Sequence, residues 1–392
     1  PYIDSLMETH MNLKDPGTVL RTGIQALNRS LSPRGGFVPG LYFIYACTNH
    51  WKSALLKQIS IMVQQFNTYI FETREFKDND KIPTILYVTL ENSRYEDDER
   101  DFKMRTHMDL DSFPNAEDAV KKWKANFYKH VDEKGRVINI CVYRPDEVNG
   151  IQQKFRCSDL IDLIDTLNEE GYKVIMAEID YFQLISPEKE DEHRELRIQY
   201  GIIAAMLLQI FRRYNIPIIV PHQLNRDAER LINEMKREGK LNIVTMLGAQ
   251  YIGESYWIEK AATHSAYIML ENHPVTHQLY LGYKRGKTRG RVDPEWPHFY
   301  HEIHNGLCLE YDIDKPQPIS RKSLTVDGDP VTMENYEQVK QTVGIRGRTT
   351  PIAKPKNDPI IVESKDTFDD LVNSFKQTED YFKKPTFRWI SK

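Results

Sequence analysis

Apolar runs at residues 41–45, 84–90, 174–179 and 217–220 each give way to polar residues within three positions, and amphipathic stretches separate them. Runs this short and continuous suit strands buried on both faces. Their alternation with helical patterns over residues 21–314 predicts an α/β chain with a mostly parallel β-sheet flanked by helices. Helices are expected at 52–66, 157–170 and 196–214, the last with Ile203, Met206, Leu207, Ile210 and Phe211 on its apolar side. A charged and aromatic insertion, about 93–135, follows the second run.

The first run leads through Ala46, Cys47, Thr48, Asn49, His50, Trp51, Lys52 and Ser53 into the first of these helices. Strand, loop and helix in that order, with a Lys-Ser pair opening the helix, is the layout of a phosphate-binding P-loop. In such a loop backbone N–H groups cradle phosphates, the lysine reaches the β- and γ-phosphates, and the hydroxyl ligates Mg²⁺. The two positions that glycine normally fills hold Ala46 and Trp51. Glycine suits those positions because it tolerates unusual φ and lets the backbone approach the phosphates. An ordinary strand-to-helix connection fits the same residues.

Downstream residues favour the phosphate reading. Asp180 ends the run at 174–179, where a Mg²⁺-associated carboxylate belongs, Glu91 ends the run at 84–90, and Gln223 follows the run at 217–220. Three strand ends thus carry acids or amides suited to the same chemistry.

In chain order, several segments resemble the DnaB-type replicative DNA helicases, whose core is a RecA-like P-loop ATPase. Thr22-Gly23-Ile24-Gln25-Ala26-Leu27-Asn28 is similar to the family's opening, Leu90-Glu91-Asn92-Ser93 to its catalytic-glutamate segment, and Ile179-Asp180-Tyr181-Phe182-Gln183-Leu184 to its metal-site strand. Gln223-Leu224-Asn225-Arg226 matches outright, Glu254-Ser255-Tyr256-Trp257-Ile258-Glu259 resembles a later helix, and residues 279–292 resemble the strand pair bearing an arginine finger at Arg285. The resemblance spans about residues 20–310.

It implies ATP and Mg²⁺ as cofactors. Lys52 and a Mg²⁺ held by Ser53 and Asp180 neutralise the phosphates, Glu91 activates the attacking water, Gln223 senses the γ-phosphate, and Arg285 acts from the adjacent subunit. The family's lysine two positions before the finger is Tyr283 here, with Lys284 and Lys287 flanking it. The implied assembly is a homo-oligomer, a hexamer, around single-stranded DNA, with a primase or loader as a further partner. Arg226, Arg230, Lys236, Arg237 and Lys240 supply the cations of an expected DNA-binding loop at 226–240, whereas the preceding segment 187–193 is acidic. A nucleotide-binding ring or scaffold with impaired hydrolysis, favoured by Trp51, and a recombinase-like filament former remain alternatives.

The formal net charge of -4 gives no global attraction to nucleic acid, so any polyanion site must be local. Four scattered cysteines without a C-x-x-C pair argue for a reducing compartment and against zinc or a disulfide framework. No apolar run reaches a membrane span and no signal peptide opens the chain, so a cytoplasmic protein of a bacterial or phage-infected cell is expected. Pro1 in place of methionine suggests processing or a fragment that lacks an N-terminal domain.

Residues 1–20 read as a linker arm, with Ile3, Leu6 and Met7 on one helical face. Residues 21–314 form the ATPase domain, and residues 315–392 an extended proline-containing tail with a short helix at 368–382. The closing aromatic and cationic residues 382–390 suit a partner anchor, a single-strand contact, or an arm packed on its own or a neighbouring subunit. His298, His301 and His304 suggest a metal site only at first sight, because a strand turns His301 away from the other two.

Overall fold

The computed structural model describes residues 19–77, 80–127, 131–148, 151–253, 256–290, 292–304, 308–325 and 387–390. The expected linker arm lies outside them apart from Val19 and Leu20, as does the expected helix at 368–382.

The strands are β1 (Gly40–Ala46), β2 (Ile82–Thr89), β3 (Asn139–Tyr143), β4 (Glu147–Val148), β5 (Ile151–Gln152), β6 (Tyr172–Asp180) and β7 (Pro217–Gln223). They continue with β8 (His264–Asn272), β9 (Leu279–Thr288), β10 (His298–His304), β11 (Cys308–Leu309) and β12 (Phe387–Ile390). The helices are α1 (Gln25–Leu31), α2 (Lys52–Phe66), α3 (Arg74–Lys77), α4 (Arg94–Thr106), α5 (Ala116–Phe127), α6 (Cys157–Glu169), α7 (Leu196–Tyr214), α8 (Arg226–Arg237) and α9 (Tyr256–Ala261).

One sheet runs in the order β11-β10-β9-β8-β1-β7-β6-β2-β3-β12. Pairing is parallel from β8 through β12 and antiparallel along β8-β9-β10-β11, so the expected mostly parallel α/β sheet carries an antiparallel flank. Strand alternation builds two cores. Leu41, Phe43 and Tyr45 share one core with Leu160, Leu207 and Ile210 of α6 and α7, while Tyr42, Ile44 and Ala46 share the other with Leu27, Leu55 and Ile59 of α1 and α2.

The parallel core fixes where the strands end. Ala46 pairs with Gln223 and Thr89 with Asp180, so the C-terminal ends of β1, β7, β6 and β2 line up along one edge of the sheet. Open parallel sheets bind ligands at that edge.

The insertion folds as α4 and α5. A capping box between Ser93 and Glu96 starts α4. A buried charge cluster then pins the insertion to the body: Arg105 Nε donates to Asp101 Oδ2 at 2.9 Å, Trp123 Nε1 to the same oxygen at 2.7 Å, and the Lys57 ammonium of α2 lies 3.8 Å from Asp101 Oδ1.

The chain stays attached to the body beyond residue 314. Tyr300 and Arg321 exchange backbone hydrogen bonds, and Leu324, fully buried, exchanges hydrogen bonds with the Asn242 amide. At the far terminus, residues 387–390 lie alongside β3 of the same chain as β12. In β10, His301 turns inward to Ser320 Oγ and the Glu310 carbonyl, both at 2.7 Å, on the face opposite His298 and His304. No described helix is long and apolar enough to cross a membrane.

Candidate active site

The connection from β1 to α2, Cys47 to Trp51, contains no glycine. Asn49 and Trp51 are left-handed, with φ of 60° and 67°. Trp51 therefore adopts the backbone that glycine ordinarily supplies, at a cost of about 1–2 kcal/mol for a side chain with a Cβ. Its indole is half-buried and packs on Ala54, Ile61 and Met104, which bridges the loop to α4.

Further bonds hold the loop. The Leu270 N–H donates to His50 Nδ1 at 3.0 Å, Leu224 N–H to the Ala46 carbonyl at 2.9 Å, and Gln223 Nε2 to Thr48 Oγ at 2.7 Å. Burial pushes the His50 ring down to about 4, helped by Lys236 and Lys52, so at neutral pH it is uncharged. Lys52 folds its ammonium back onto the Cys47 carbonyl at 2.8 Å. Burial lowers its pKa, opposed by Cys47, Asp180, Glu91 and Glu229. The first turn of α2 points its unpaired N–H groups toward the same space, where an anion is favoured.

Asp180 ends β6 fully buried. Its Oδ2 accepts from Asn92 Nδ2 at 3.0 Å and Tyr87 OH at 3.4 Å, while Oδ1 is buried without a hydrogen-bond partner. Burial raises its pKa to about 6; the Ser53 hydroxyl and Arg100 oppose the shift, and Glu91 and Asp97 reinforce it. A buried carboxylate with a vacant oxygen and a serine hydroxyl beside it fits Mg²⁺, a hard ion that takes one or two protein oxygens and completes its shell with water and phosphate. Among the described residues no cluster of three or more His, Cys, Asp or Glu is arranged to hold a metal, so an all-protein cage is not what this site offers.

Glu91 follows β2 and is exposed. The Leu90 N–H bonds to the Asp180 carbonyl at 2.8 Å, tying the two strand ends together. Gln183 clamps the end of β7: its amide donates to the Gln223 carbonyl and accepts from the Gln223 N–H, both at 3.3 Å.

A cleft of about 420 Å³ results, lined by Thr48, Asn49, His50, Trp51, Lys52, Ser53, Glu91 and Gln223. Ala46 and Cys47 lie beneath it, buried at the strand end. Asn92, Glu96, Arg100 and Tyr181 also line it and were not anticipated. Glu96 and Arg100 are four residues apart on the helix that Ser93 caps, a spacing that puts both on one helical face.

Two groups of expected site residues lie elsewhere. Arg285, on β9, is separated from β1 by β8; its backbone bonds to the Pro297 carbonyl at 2.7 Å and its Nη1 to the Asp293 carbonyl at 3.0 Å. Within one chain it does not line the cleft. Tyr283 stacks on Phe299 and bonds to His264, and Lys284 donates to the Thr245 carbonyl at 2.9 Å.

The expected DNA loop at 226–240 is mostly helix: α8, capped by the Asn225 side chain, which accepts from Ala228 N–H at 3.1 Å. Ala228, Ile232 and Met235 bury its inner face, and Arg226, Arg230, Lys236, Arg237 and Lys240 are exposed. Arg230 pairs with Asp227 at 3.0 Å and Lys240 with Glu238. Glu254, Ser255 and Arg291 lie outside the described residues.

A family model for divergent DnaB-like ATPases matches residues 2–331. Among solved structures, the fold is similar to the ATPase domain of G40P, with a TM-score of 0.55 and 15% identity over 78% of this chain and 96% of that one. A structure of a DnaB-like replicative helicase, described with its interactions with primase, gives a TM-score of 0.53 and 16% identity over 78% of this chain and 66% of that one. No curated protein matches. The structural likeness speaks for the fold, a RecA-like α/β ATPase core.

Proposed function

The chain belongs to the divergent DnaB-like ATPases, and from that premise we propose that it is an ATP-driven, ring-shaped replicative helicase that translocates on single-stranded DNA and unwinds duplex. One observation carries the nucleotide half of this reading. Lys52, Ser53, Glu91 and Gln223, from the ends of three strands, line one cleft beside the buried Asp180.

There the Lys52 ammonium exchanges the Cys47 carbonyl for phosphate oxygens, and the loop amides cradle the phosphates. Ser53 and Asp180 would hold Mg²⁺, which would offset phosphate charge. Glu91, exposed beside Asp180, orients the attacking water and takes up its proton. Gln223, tethered through Thr48 to the P-loop, reports the γ-phosphate.

Arg285 completes the site from a neighbouring subunit, which makes a homo-oligomeric ring, a hexamer, a condition of turnover. The cationic outer face of α8 grips the phosphates of the strand. A primase or loader is the further partner and the cytoplasm the setting.

A second reading, a nucleotide-binding ring or scaffold without turnover, is favoured by the left-handed Trp51 in the P-loop. Paired variants decide between them, read by nucleotide titration, phosphate release with and without single-stranded DNA, and oligomeric mass. Lys52→Ala should weaken ATP binding at least tenfold. Glu91→Gln should bind ATP and assemble as the native protein does, yet lose hydrolysis by a factor on the order of 10² or more. Native protein that binds ATP in a ring but never turns it over would establish the scaffold instead. Open filaments in place of closed rings would point to a recombinase-like assembly.

A further inference from the structure

Asp180 offers its two oxygens unequally. Oδ2 accepts from the Asn92 amide at 3.0 Å and from the Tyr87 hydroxyl at 3.4 Å, whereas Oδ1 is buried with no hydrogen-bond partner. A carboxylate free to turn about its last bond would interchange its oxygens, but one whose Oδ2 is held by donors leaves Oδ1 to another ligand. The shorter and stronger of the two bonds is that of Asn92. Tyr87 adds its longer bond from a fully buried ring, with the Lys57 ammonium 5.1 Å from the ring centre.

Asn92 is itself firmly placed. Two residues before it, the Leu90 N–H donates to the Asp180 carbonyl at 2.8 Å. The residue after it, Ser93, caps α4: its N–H donates to Glu96 Oε2 at 2.7 Å and its hydroxyl accepts from the Glu96 N–H at 3.3 Å. Leu90, Asn92 and Ser93 are therefore each tied down, and Glu91 lies among them. A neutral amide suits this half-buried position. A carboxylate there would face Asp180 as a like charge, and an apolar side chain would deprive Oδ2 of its better donor.

We propose that Asn92 is a positioning residue for the metal: by holding Oδ2 of Asp180 it leaves Oδ1 to the Mg²⁺ of the bound nucleotide, and it fixes Glu91 beside that carboxylate. Asn92 acts through Asp180 and contacts neither metal nor phosphate in this role. This inference rests on the reading of the cleft as an ATP site with Ser53 and Asp180 as its metal ligands.

The test uses the full chain saturated with a non-hydrolysable ATP analogue and measures uptake of Mn²⁺, standing in for Mg²⁺, by paramagnetic resonance. In Asn92→Leu, which has nearly the same size and no donor, Mn²⁺ affinity should fall about tenfold or more, the loss expected when an outer hydrogen bond to a metal ligand is removed. Affinity for the analogue in EDTA should stay at the native value, a separation that a residue merely bracing the cleft would not produce. Asn92→Gln keeps the amide on a longer arm and should recover part of the metal affinity. Unchanged Mn²⁺ affinity in Asn92→Leu overturns the proposal, and so does an equal fall in metal affinity and in EDTA affinity. If Asn92→Leu fails to fold, Asn92→Ser, whose hydroxyl is too short to reach Oδ2, decides by the same two readings. Native protein that binds the analogue but takes up no Mn²⁺, or Lys52→Ala with native nucleotide affinity, would sink the reading of the site itself, whereas loss in Lys52→Ala beside an unchanged Asn92→Leu removes Asn92 alone.

Discussion

Trp51 sets two physical costs against each other. The left-handed backbone costs about 1–2 kcal/mol that glycine avoids, while the half-buried indole on Ala54, Ile61 and Met104 contributes about 2 kcal/mol. Trp51→Gly should therefore lower folding stability by no more than about 1 kcal/mol, seen in the urea midpoint, yet leave nucleotide affinity equal or higher, because no phosphate donor is lost. A large drop in affinity would show that the indole holds the nucleotide. The strand-end placement of Lys52, Ser53, Glu91, Asp180 and Gln223 was legible in the sequence because each lies at or shortly after the end of an apolar run that reads as a buried strand. Arg100 was not. It lies in a run of charges, Glu96 to Arg100, where nothing local distinguishes a residue aimed into a cleft from one in solvent. Only the packing of Asp97 and Asp101 against the body orients it.

At the scale of elements, α2 and α7 match their expected bounds, since the apolar spacing of each is sustained over several turns. Residues 226–240 show where the family resemblance misleads. It implied a loop, but Ala228, Ile232 and Met235 recur every three to four residues and make a buried stripe. The consequence for DNA is geometric. A helix presents its cations on one rigid face, so their contributions should be separable rather than interchangeable. Lys236→Ala and Arg237→Ala should each weaken single-stranded DNA binding and flatten the slope of log affinity against log salt by about 0.7 per lost phosphate contact. DNA-independent hydrolysis should stay near the native rate. A slope unchanged in the double variant would remove α8 from the DNA surface and move attention to the cations of β9.

For the whole molecule, the order of the strands was the part least available from sequence. Local pattern says that a strand is buried but not which neighbour it takes, and the pairing of β12 with β3 joins residues more than two hundred apart. The same limit applies to Arg285. Its place on β9, with β8 between it and β1, keeps it out of its own chain's cleft, so the catalytic role proposed for it would need an interface. In a head-to-tail ring each site joins the P-loop of one subunit to a residue of the next. Arg285→Ala alone should then lose hydrolysis by a factor on the order of 10³, and Lys52→Ala alone should be inactive too. Mixed in equal amounts before assembly, they should form sites in which an intact P-loop from the first faces an intact arginine from the second. Random assembly makes such sites about a quarter of the total, so activity should return to roughly a quarter of the native rate if sites act independently. Two inactive proteins that stay inactive when co-assembled would place Arg285 in its own subunit's chemistry. Native hydrolysis by Arg285→Ala with lost DNA binding would make the basic strand β9 the DNA element in place of α8.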